Sequence, residues 1–268
     1  MRLNKTFIVG ITVSIACLGQ VMFAANPKNS KIEAAVEKKL SGMTLDEKIG
    51  QMTELSIDVL GEWKNGEFIL DKEKLHNAIA KYKVGSILNA PGPVAQSRAK
   101  WQELIGMIQN MSMKEIGIPC IYGLDQNHGT TYTLEGTLFP QNINLGASFN
   151  PQLTYDAARA TAYETRAANC PWTYSPTVDM ARDPRWSRVW ENYGEDCLVN
   201  AVMGSHAVRG FQGDDPNNIP ADRIATSVKH YMGYSMARTG KDRTPAYISA
   251  SDLREKCFAP FKACVEAG

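Results

Sequence analysis

The chain has 268 residues, of which 44% are hydrophobic and 21% are charged, and its formal net charge at pH 7 is +1. This composition is typical of a globular protein with a sizeable core, and the length suits a single α/β barrel. There is no basic run to suggest a nucleic-acid partner. No stretch reaches the roughly 18–20 apolar residues that a membrane-spanning helix needs.

The first 25 residues have the pattern of an export signal. Arg2 and Lys5 make the start positively charged, and residues 7–18 are mostly apolar. Ala24 and Ala25 are small residues at which a signal peptidase could cut. We therefore expect cleavage near residue 25 and an exported protein, periplasmic or secreted. A lipid anchor at Cys17 is the less favoured alternative, because Ser14 stands where lipoprotein signals usually carry leucine.

The remaining cysteines and the histidines predict no metal site. Five scattered cysteines without a CxxC spacing make neither a disulfide framework nor a zinc site, and we expect most to be buried as small hydrophobic side chains. These are Cys120, Cys170, Cys197, Cys257 and Cys264. The four histidines show no metal-ligand spacing, and we expect His76 and His206 on helix surfaces.

Apolar spacing predicts alternating helices and strands along the chain. Helices are expected over residues 32–40, 44–52, 72–82, 95–116, 151–168, 195–210 and 251–267. Strands are expected over residues 84–88, 118–124, 172–178 and 225–228. Thr44 and Glu47 form a capping box at one helix start, and Ser251 opens the last helix in a similar way. Residues 60–71 are expected to turn at the surface, and residues 137–147 to hold another short element.

Charged residues follow three of the predicted strands directly. Asp125, Asp179 and Lys229 each stand at or just beyond a strand end. In a (β/α) barrel the active site is built at those ends, and in a doubly wound sheet ligands also bind there. A doubly wound sheet should also carry a glycine-rich phosphate turn. None is present, since residues 233–241 have the wrong glycine spacing. The pattern therefore favours an α/β barrel.

The segment from Tyr174 to Asp196 combines carboxylates, arginines and aromatic rings. A sugar site needs such a mixture, because rings stack on apolar C–H faces and charged groups bind hydroxyls. The alternative is an arginine–carboxylate lattice under a long loop, with its rings partly buried. On residue types alone both remain open. Asp183 and Asp179 sit among arginines, which are expected to lower their pKa and to pair with them.

Lys229-His230 and Asp125 are candidate binding residues on similar grounds. A lysine directly after a buried strand is costly unless it is paired, and a carboxylate at a strand end can accept hydrogen bonds from vicinal hydroxyls. The alternatives are a lysine that bridges nearby carboxylates, a histidine that caps the core, and a turn aspartate that binds local amides.

Several motifs, in order, resemble the N-terminal domain of family-3 glycoside hydrolases of the exo-acting β-glucosidase type. They run through nearly the whole chain after residue 25: "MTLDEKIGQM" (43–52), "IPCIYGLDQNHG" (118–129), "LFPQNINLGASFNPQL" (138–153), "SPTVDMARDPRWSRVWENYGED" (175–196), "SVKHYMGYS" (227–235), "GKDRTPAYIS" (240–249) and "LREKCFAPFKACVEAG" (253–268). The N-acetylglucosaminidase branch is disfavoured, because a different sequence follows its Lys-His pair.

The resemblance implies a TIM-like (β/α)8 barrel, incomplete in this chain, over residues 26–268. It implies a retaining enzyme that releases β-linked glucose, or a related sugar, from the non-reducing end of oligosaccharides and that needs no metal or organic cofactor. Carried over by position, the residues that bind the sugar hydroxyls are Asp125, Arg188, Lys229 and His230. A small departure is Ser187, where the family more often has glycine. Sequence alone predicts no oligomeric state.

The larger departure concerns catalysis. The resemblance places the nucleophilic aspartate on a later barrel strand and the general acid in a second domain, so neither is expected before Gly268. We therefore expect the 268 residues alone to be inactive. The alternatives are a catalytically inactive carbohydrate-binding fragment and a β-xylosidase of the same family.

Overall fold

The computed structural model describes residues 30–92 and 94–268. The described chain divides into two units, with the boundary between Ser41 and Gly42. The described part of the first unit is helix α1 (Ser30–Ser41), where a helix was predicted. The expected export signal, residues 1–25, lies outside the described residues.

The predicted helices of the second unit are present, and the short element expected over residues 137–147 is helix α5 (Asn142–Ala147). They are α2 (Leu45–Gln51), α3 (Lys72–His76) with a π-helical continuation (Asn77–Lys81), α4 (Arg98–Glu115), α5 (Asn142–Ala147), α6 (Pro151–Ala167), α7 (Cys197–Gln212), α8 (Ala250–Asp252), a π-helical turn (Leu253–Cys257) and α9 (Phe258–Ala267). Short 3₁₀ turns occur at Ile57–Leu60 and Val189–Glu191.

Two helix starts test the capping predictions. The capping box of α2 is confirmed: the Thr44 amide donates to the Glu47 carboxylate at 2.9 Å, and the Glu47 amide donates to the Thr44 hydroxyl at 3.2 Å. The predicted cap at Ser251 is wrong. The α8 cap is Ser249, whose hydroxyl accepts from the Asp252 amide at 3.1 Å. Ser249 and Ser251 both precede Asp252 within three residues, so the sequence pattern alone does not decide which serine is the cap.

Five short strands form one parallel sheet. The strands of the chain are β1 (Glu54–Ser56), β2 (Gly61–Lys64), β3 (Glu67–Leu70), β4 (Ser86–Leu88), β5 (Ile121–Leu124), β6 (Trp172–Thr173) and β7 (Ala225–Thr226). The sheet order is β1-β4-β5-β6-β7, and every pair is parallel. Each of the four predicted strands is therefore a member, although each is shorter than predicted. β1 was not predicted.

Residues 60–71 are a correction to the sequence prediction. Instead of a surface turn, β2 and β3 form an antiparallel hairpin. Asn65 and Gly66 make its turn, with φ angles of 51° and 83°. This pair of left-handed residues is the commonest signal for a two-residue hairpin turn. On β3, Phe68 and Leu70 are buried while Glu67 and Ile69 are exposed, as the period of two requires.

The larger core lies between the sheet and α4. Along that helix Trp101, Leu104, Ile105 and Ile108 are fully or almost fully buried, at the spacing of one helical face. They belong to one cluster with side chains of β4 and β5, among them Ile87, Tyr122 and Leu124. A second cluster joins α6, α7 and α9 with Val178 and Tyr193. Helices thus cover the outer side of the sheet, as in a (β/α) barrel.

Candidate active site

The segments that follow β5, β6 and β7 meet at one rim of the sheet. Asp125 follows β5, and Lys229 lies three residues beyond β7. The Lys229 ammonium binds the Asp125 carboxylate, and the Lys229 side chain is only 14% exposed. The sequence prediction that Asp125, Asp179 and Lys229 share one rim is therefore confirmed. Their part in binding a sugar stays a prediction.

His230 is held by Asp179, which lies on the segment after β6. One oxygen of Asp179, Oδ2, accepts the His230 backbone N–H at 3.1 Å and lies 2.7 Å from the ring Nδ1. The backbone fixes this pairing. The Val178 amide donates to the Lys229 carbonyl at 2.9 Å, and the Lys229 amide donates to the Pro176 carbonyl at 3.0 Å. The peptide bond between Lys229 and His230 is cis.

The prediction that Asp179 and Asp183 pair with arginines is confirmed for Asp183 and wrong for Asp179. Asp183 binds Arg185, with Nη2 to Oδ2 at 2.7 Å, and that guanidinium lowers the pKa of Asp183 to about 2. Asp179 instead pairs with His230, because it lies on the buried rim while the arginines bind other groups. Both aspartates therefore have structural partners, although only one of these partners is an arginine.

Arg188 lies in the same cleft but is engaged by a carboxylate of its own segment. Its Nε and Nη2 atoms each lie 2.7 Å from one oxygen of Glu191, in a two-bond fork. This contact raises the pKa of Arg188. Its remaining nitrogen, Nη1, lies 3.4 Å from the Tyr234 hydroxyl. Arg188 is thus brought beside the other three predicted residues, with one nitrogen facing Tyr234.

The rings of the Tyr174–Asp196 stretch have different surroundings. Trp186 and Tyr193 are buried, as the alternative of a lattice with partly buried rings describes, and Trp190 is 45% exposed. Trp186 is a structural ring: its indole N–H donates to Asp242 at 2.9 Å. Tyr174 does line the cleft, and its hydroxyl donates to Glu54 at 2.7 Å. Burial and this contact raise the pKa of Tyr174.

Gly123 on β5 makes room for Tyr174. A Cβ at position 123 would lie 2.5 Å from the Tyr174 hydroxyl oxygen, and three atoms of that side chain would be closer than 3.0 Å. The tyrosine ring therefore lies directly across the strand. The missing side chain of a strand residue thus sets the position of a cleft aromatic.

Together these groups line an open cleft of about 780 Å³. Its lining comprises Glu54, Leu88, Asp125, Asn127, Tyr132, Tyr174, Arg188, Glu191, Lys229, His230, Tyr234, Asp242 and Arg243. This volume is in the range of small-molecule sites. All four residues predicted to bind substrate belong to it.

Sequence reasoning missed several of the lining residues. Glu54 stands on the unpredicted strand β1, and Tyr132 lies in a loop that carries no motif. Tyr234 packs against two other rings: its ring centroid lies 4.6 Å from that of His230 and 5.7 Å from that of Trp186. Its position four residues after His230 was the available signal. Asp242 lies within the "GKDRTPAYIS" motif, but the motif alone assigned it no role.

The part of the chain that the structure describes holds no group of three or more histidine, cysteine or acidic side chains suited to a metal ion. It also holds no helix long and apolar enough to cross a membrane. The five cysteines after residue 30 are all free, and four of them are buried. Burial raises the pKa of Cys120, Cys170 and Cys264 to about 12.

Curated relatives share sequence with nearly the whole chain. A lysosomal β-glucosidase of Dictyostelium discoideum is 38% identical over 84% of this chain. A periplasmic β-glucosidase of Salmonella typhimurium is 32% identical over 97% of it, and a putative β-xylosidase of Formosa agariphila is 30% identical over 99%. The matches cover 28%, 32% and 35% of those proteins, so the chain spans about a third of their length.

Solved structures share the fold. An exo-1,3/1,4-β-glucanase from a Pseudoalteromonas species superposes with a TM-score of 0.79 at 29% identity, over 89% of this chain and 29% of that one. A mutant β-glucosidase from Listeria innocua, in complex with laminaribiose, gives a TM-score of 0.73 at 31% identity, over 88% and 31%. The predicted α/β, TIM-like barrel architecture is therefore confirmed, with the ring of strands not closed in the described residues.

The family model described as the glycosyl hydrolase family 3 N-terminal domain matches residues 44–268. This range includes all of the parallel sheet and every residue of the cleft. The resemblance seen in the motifs is thereby confirmed, and the chain belongs to glycosyl hydrolase family 3.

Proposed function

We propose that this chain supplies the sugar-binding part of a glycoside hydrolase that releases β-linked glucose from the non-reducing end of oligosaccharides. The observation that carries the proposal is the meeting of the Asp125–Lys229 pair and the His230 imidazole in one cleft. A carboxylate, an ammonium and an imidazole at one rim offer both acceptors and donors to the vicinal hydroxyls of a sugar ring. The activities for which the relatives are named support this substrate class.

The cleft also offers an apolar surface. Tyr174 and Tyr132 both line it, and the sugar's C–H face can pack against such rings while its hydroxyls bind the charged rim. These contacts contribute to rate only where they strengthen as the sugar ring distorts toward the oxocarbenium-like transition state. We assign that strengthening to Asp125 and Lys229, because their pair is charge-assisted and only partly exposed.

The retaining mechanism needs two carboxyl groups about 5–5.5 Å apart, one as nucleophile and one as acid/base. The cleft carboxylates of the described residues all have partners: Asp125 has Lys229, Glu191 has Arg188, Glu54 has Tyr174 and Asp242 has Trp186. An ion pair or a hydrogen bond stabilises a carboxylate and lowers its nucleophilicity. We therefore assign binding, and no catalytic carboxylate, to residues 30–268.

We further propose that residues 1–25 are an export signal, that residues 26–268 form the barrel domain and that the protein is periplasmic or secreted. The support is the charged start and apolar stretch of the N-terminus, together with the periplasmic β-glucosidase among the relatives. The substrate is a glycoside or oligosaccharide. Sequencing the N-terminus of the mature protein tests the cleavage position.

A β-xylosidase is the second candidate, favoured by the Formosa agariphila relative. The two activities are separated by assaying the protein expressed from its gene with matched aryl β-D-glucoside and aryl β-D-xyloside. We expect a higher kcat/KM for the glucoside. A preference for the xyloside would select the second candidate, and sugar binding without turnover of either would leave a carbohydrate-binding protein.

A further inference from the structure

Asp179 is a buried carboxylate, and only one of its two oxygens has hydrogen-bond partners among the described residues. Its side chain is 1% exposed. Oδ2 faces both the backbone N–H and the ring Nδ1 of His230, while Oδ1 has no hydrogen-bond partner among the described residues. Burying a carboxylate is costly unless it is paired. The pairing that this carboxylate has within the described part of the chain is with His230.

The arginines of the same segment are engaged elsewhere. Arg185 binds Asp183, Arg188 binds Glu191, and the Arg182 Nε donates to the Glu195 carbonyl at 3.4 Å. An arginine–carboxylate lattice therefore does not explain why Asp179 is buried. What the position of Asp179 does control is the orientation of His230.

The contact also determines which ring nitrogen carries the proton. A carboxylate only accepts hydrogen bonds, so Nδ1 of His230 must be the donor. The Tyr234 ring packs against the imidazole, with centroids 4.6 Å apart and planes 46° apart. The His230 side chain is 23% exposed and lines the cleft, so Nε2 is the polar ring atom left for a ligand.

We propose that Asp179 is a positioning residue, which holds His230 by its backbone and by Nδ1 so that Nε2 faces the cleft. In the neutral ring Nε2 then accepts a hydrogen bond from a substrate hydroxyl, and in the protonated ring it donates one. Only the identity of that ligand, a sugar hydroxyl, rests on the proposed function. The orientation of the ring does not.

The first test is spectroscopic and needs no activity. Long-range ¹H–¹⁵N spectra of the protein labelled at histidine show which nitrogen of each neutral ring is protonated, and His230→Gln assigns the signals. We expect the proton on Nδ1 in the wild type. It should stay there in Asp179→Asn, whose amide oxygen still accepts from both donors, and lose this preference in Asp179→Ala. His128, whose Nδ1 lies 2.9 Å from the Phe139 carbonyl, is the internal control and should not change.

The second test measures the consequence for substrate. In the protein expressed from its gene and assayed with an aryl β-D-glucoside, Asp179→Ala should lower kcat/KM by roughly tenfold, mainly through a higher KM, and Asp179→Asn should recover most of that loss. A wild-type His230 protonated on Nε2 overturns the proposal, and so does an unchanged proton position in Asp179→Ala. The first of these outcomes does not require Asp179→Ala to fold, since it is read from the wild-type protein. If the wild-type protein expressed from its gene has no turnover, the proposed function fails, while the spectra still decide the role of Asp179.

Discussion

At the scale of single residues, the chemistry of the cleft follows from how its charges are paired. Asp125 and Lys229 are brought together from segments 104 residues apart. Replacing Asp125 by alanine removes the proposed acceptor for a sugar hydroxyl and leaves Lys229, whose side chain is 14% exposed, without its carboxylate partner. In the protein expressed from its gene, we expect kcat/KM for an aryl β-D-glucoside to fall about 150-fold, a loss of about 3 kcal/mol of transition-state stabilisation. Steady-state kinetics of the variant and the wild type measure this loss.

Asp196 provides the matched control for Asp125. It caps α7, and its Oδ1 accepts from the Leu198 and Val199 amides at 2.7 and 3.1 Å. Asp196→Ala should therefore lower the free energy of unfolding by about 1 kcal/mol and leave kcat/KM almost unchanged. Urea unfolding and kinetics on the same preparation give both values. Similar kinetic losses in the two alanine variants would show that the binding site is misplaced.

Asp183 gives a prediction for the dependence of stability on pH. Arg185 lowers the pKa of Asp183 from 3.8 to about 2 in the folded protein. Because the folded value is the lower one, the pair's contribution is fully present above pH 4 and is lost as the pH falls toward 2. The stability difference between wild type and Asp183→Asn should therefore be constant above about pH 4 and shrink below it. Urea midpoints across this range test it, and an undiminished difference near pH 2 would contradict it.

At the scale of elements, the sequence predicts the segments that apolar residues mark and misses those that they do not. Most helices and four of the strands carry enough apolar residues to be recognised. Strand β1 (Glu54–Ser56) has one apolar residue, Leu55, and follows α2 closely, so it shows no alternation of its own. Missing β1 also hid Glu54, the partner of Tyr174.

Asp125, Lys229 and His230 were found in advance because they follow recognisable strands, and Arg188 came from the family resemblance alone. The residues that were missed depend on tertiary packing.

Two helix glycines show how packing decides the effect of the same substitution. A Cβ on Gly106 in α4 would meet no atom within 4 Å, whereas one on Gly204 in α7 would lie 2.6 Å from Val178 Cγ1 and 2.7 Å from Cys264 Sγ. Gly106→Ala should raise stability by roughly 0.5–1 kcal/mol, since glycine is the poorer helix former. Gly204→Ala should lower stability by roughly 1–3 kcal/mol through overpacking. Chemical denaturation measures the free energy of unfolding of both variants. Equal changes in the two variants would contradict this difference in packing.

At the scale of the whole molecule, the sheet has two edges in the described residues, since β1 and β7 each pair on one side only. Ile121, on the central strand β5, is 51% exposed. Unpaired strand edges and exposed apolar side chains both favour association between chains. We expect the 268-residue chain, purified alone, to be poorly soluble or to associate, which light scattering measures. A purified chain that remains soluble and monomeric in light scattering would contradict this expectation.

The same chain should lack glycosidase activity when assayed alone. Binding a sugar at Asp125 and Lys229 does not cleave it, because retaining hydrolysis requires a carboxylate free to attack and a second to protonate the leaving group. In the described residues the cleft carboxylates hold Lys229, Arg188, Tyr174 or Trp186 instead. An activated aryl β-D-glucoside should therefore show no turnover above the buffer rate, while a longer chain extended through a second catalytic domain should hydrolyse it. Turnover by the 268 residues that survives repurification would overturn the assignment, and asparagine or glutamine at each cleft carboxylate in turn would then locate the nucleophile.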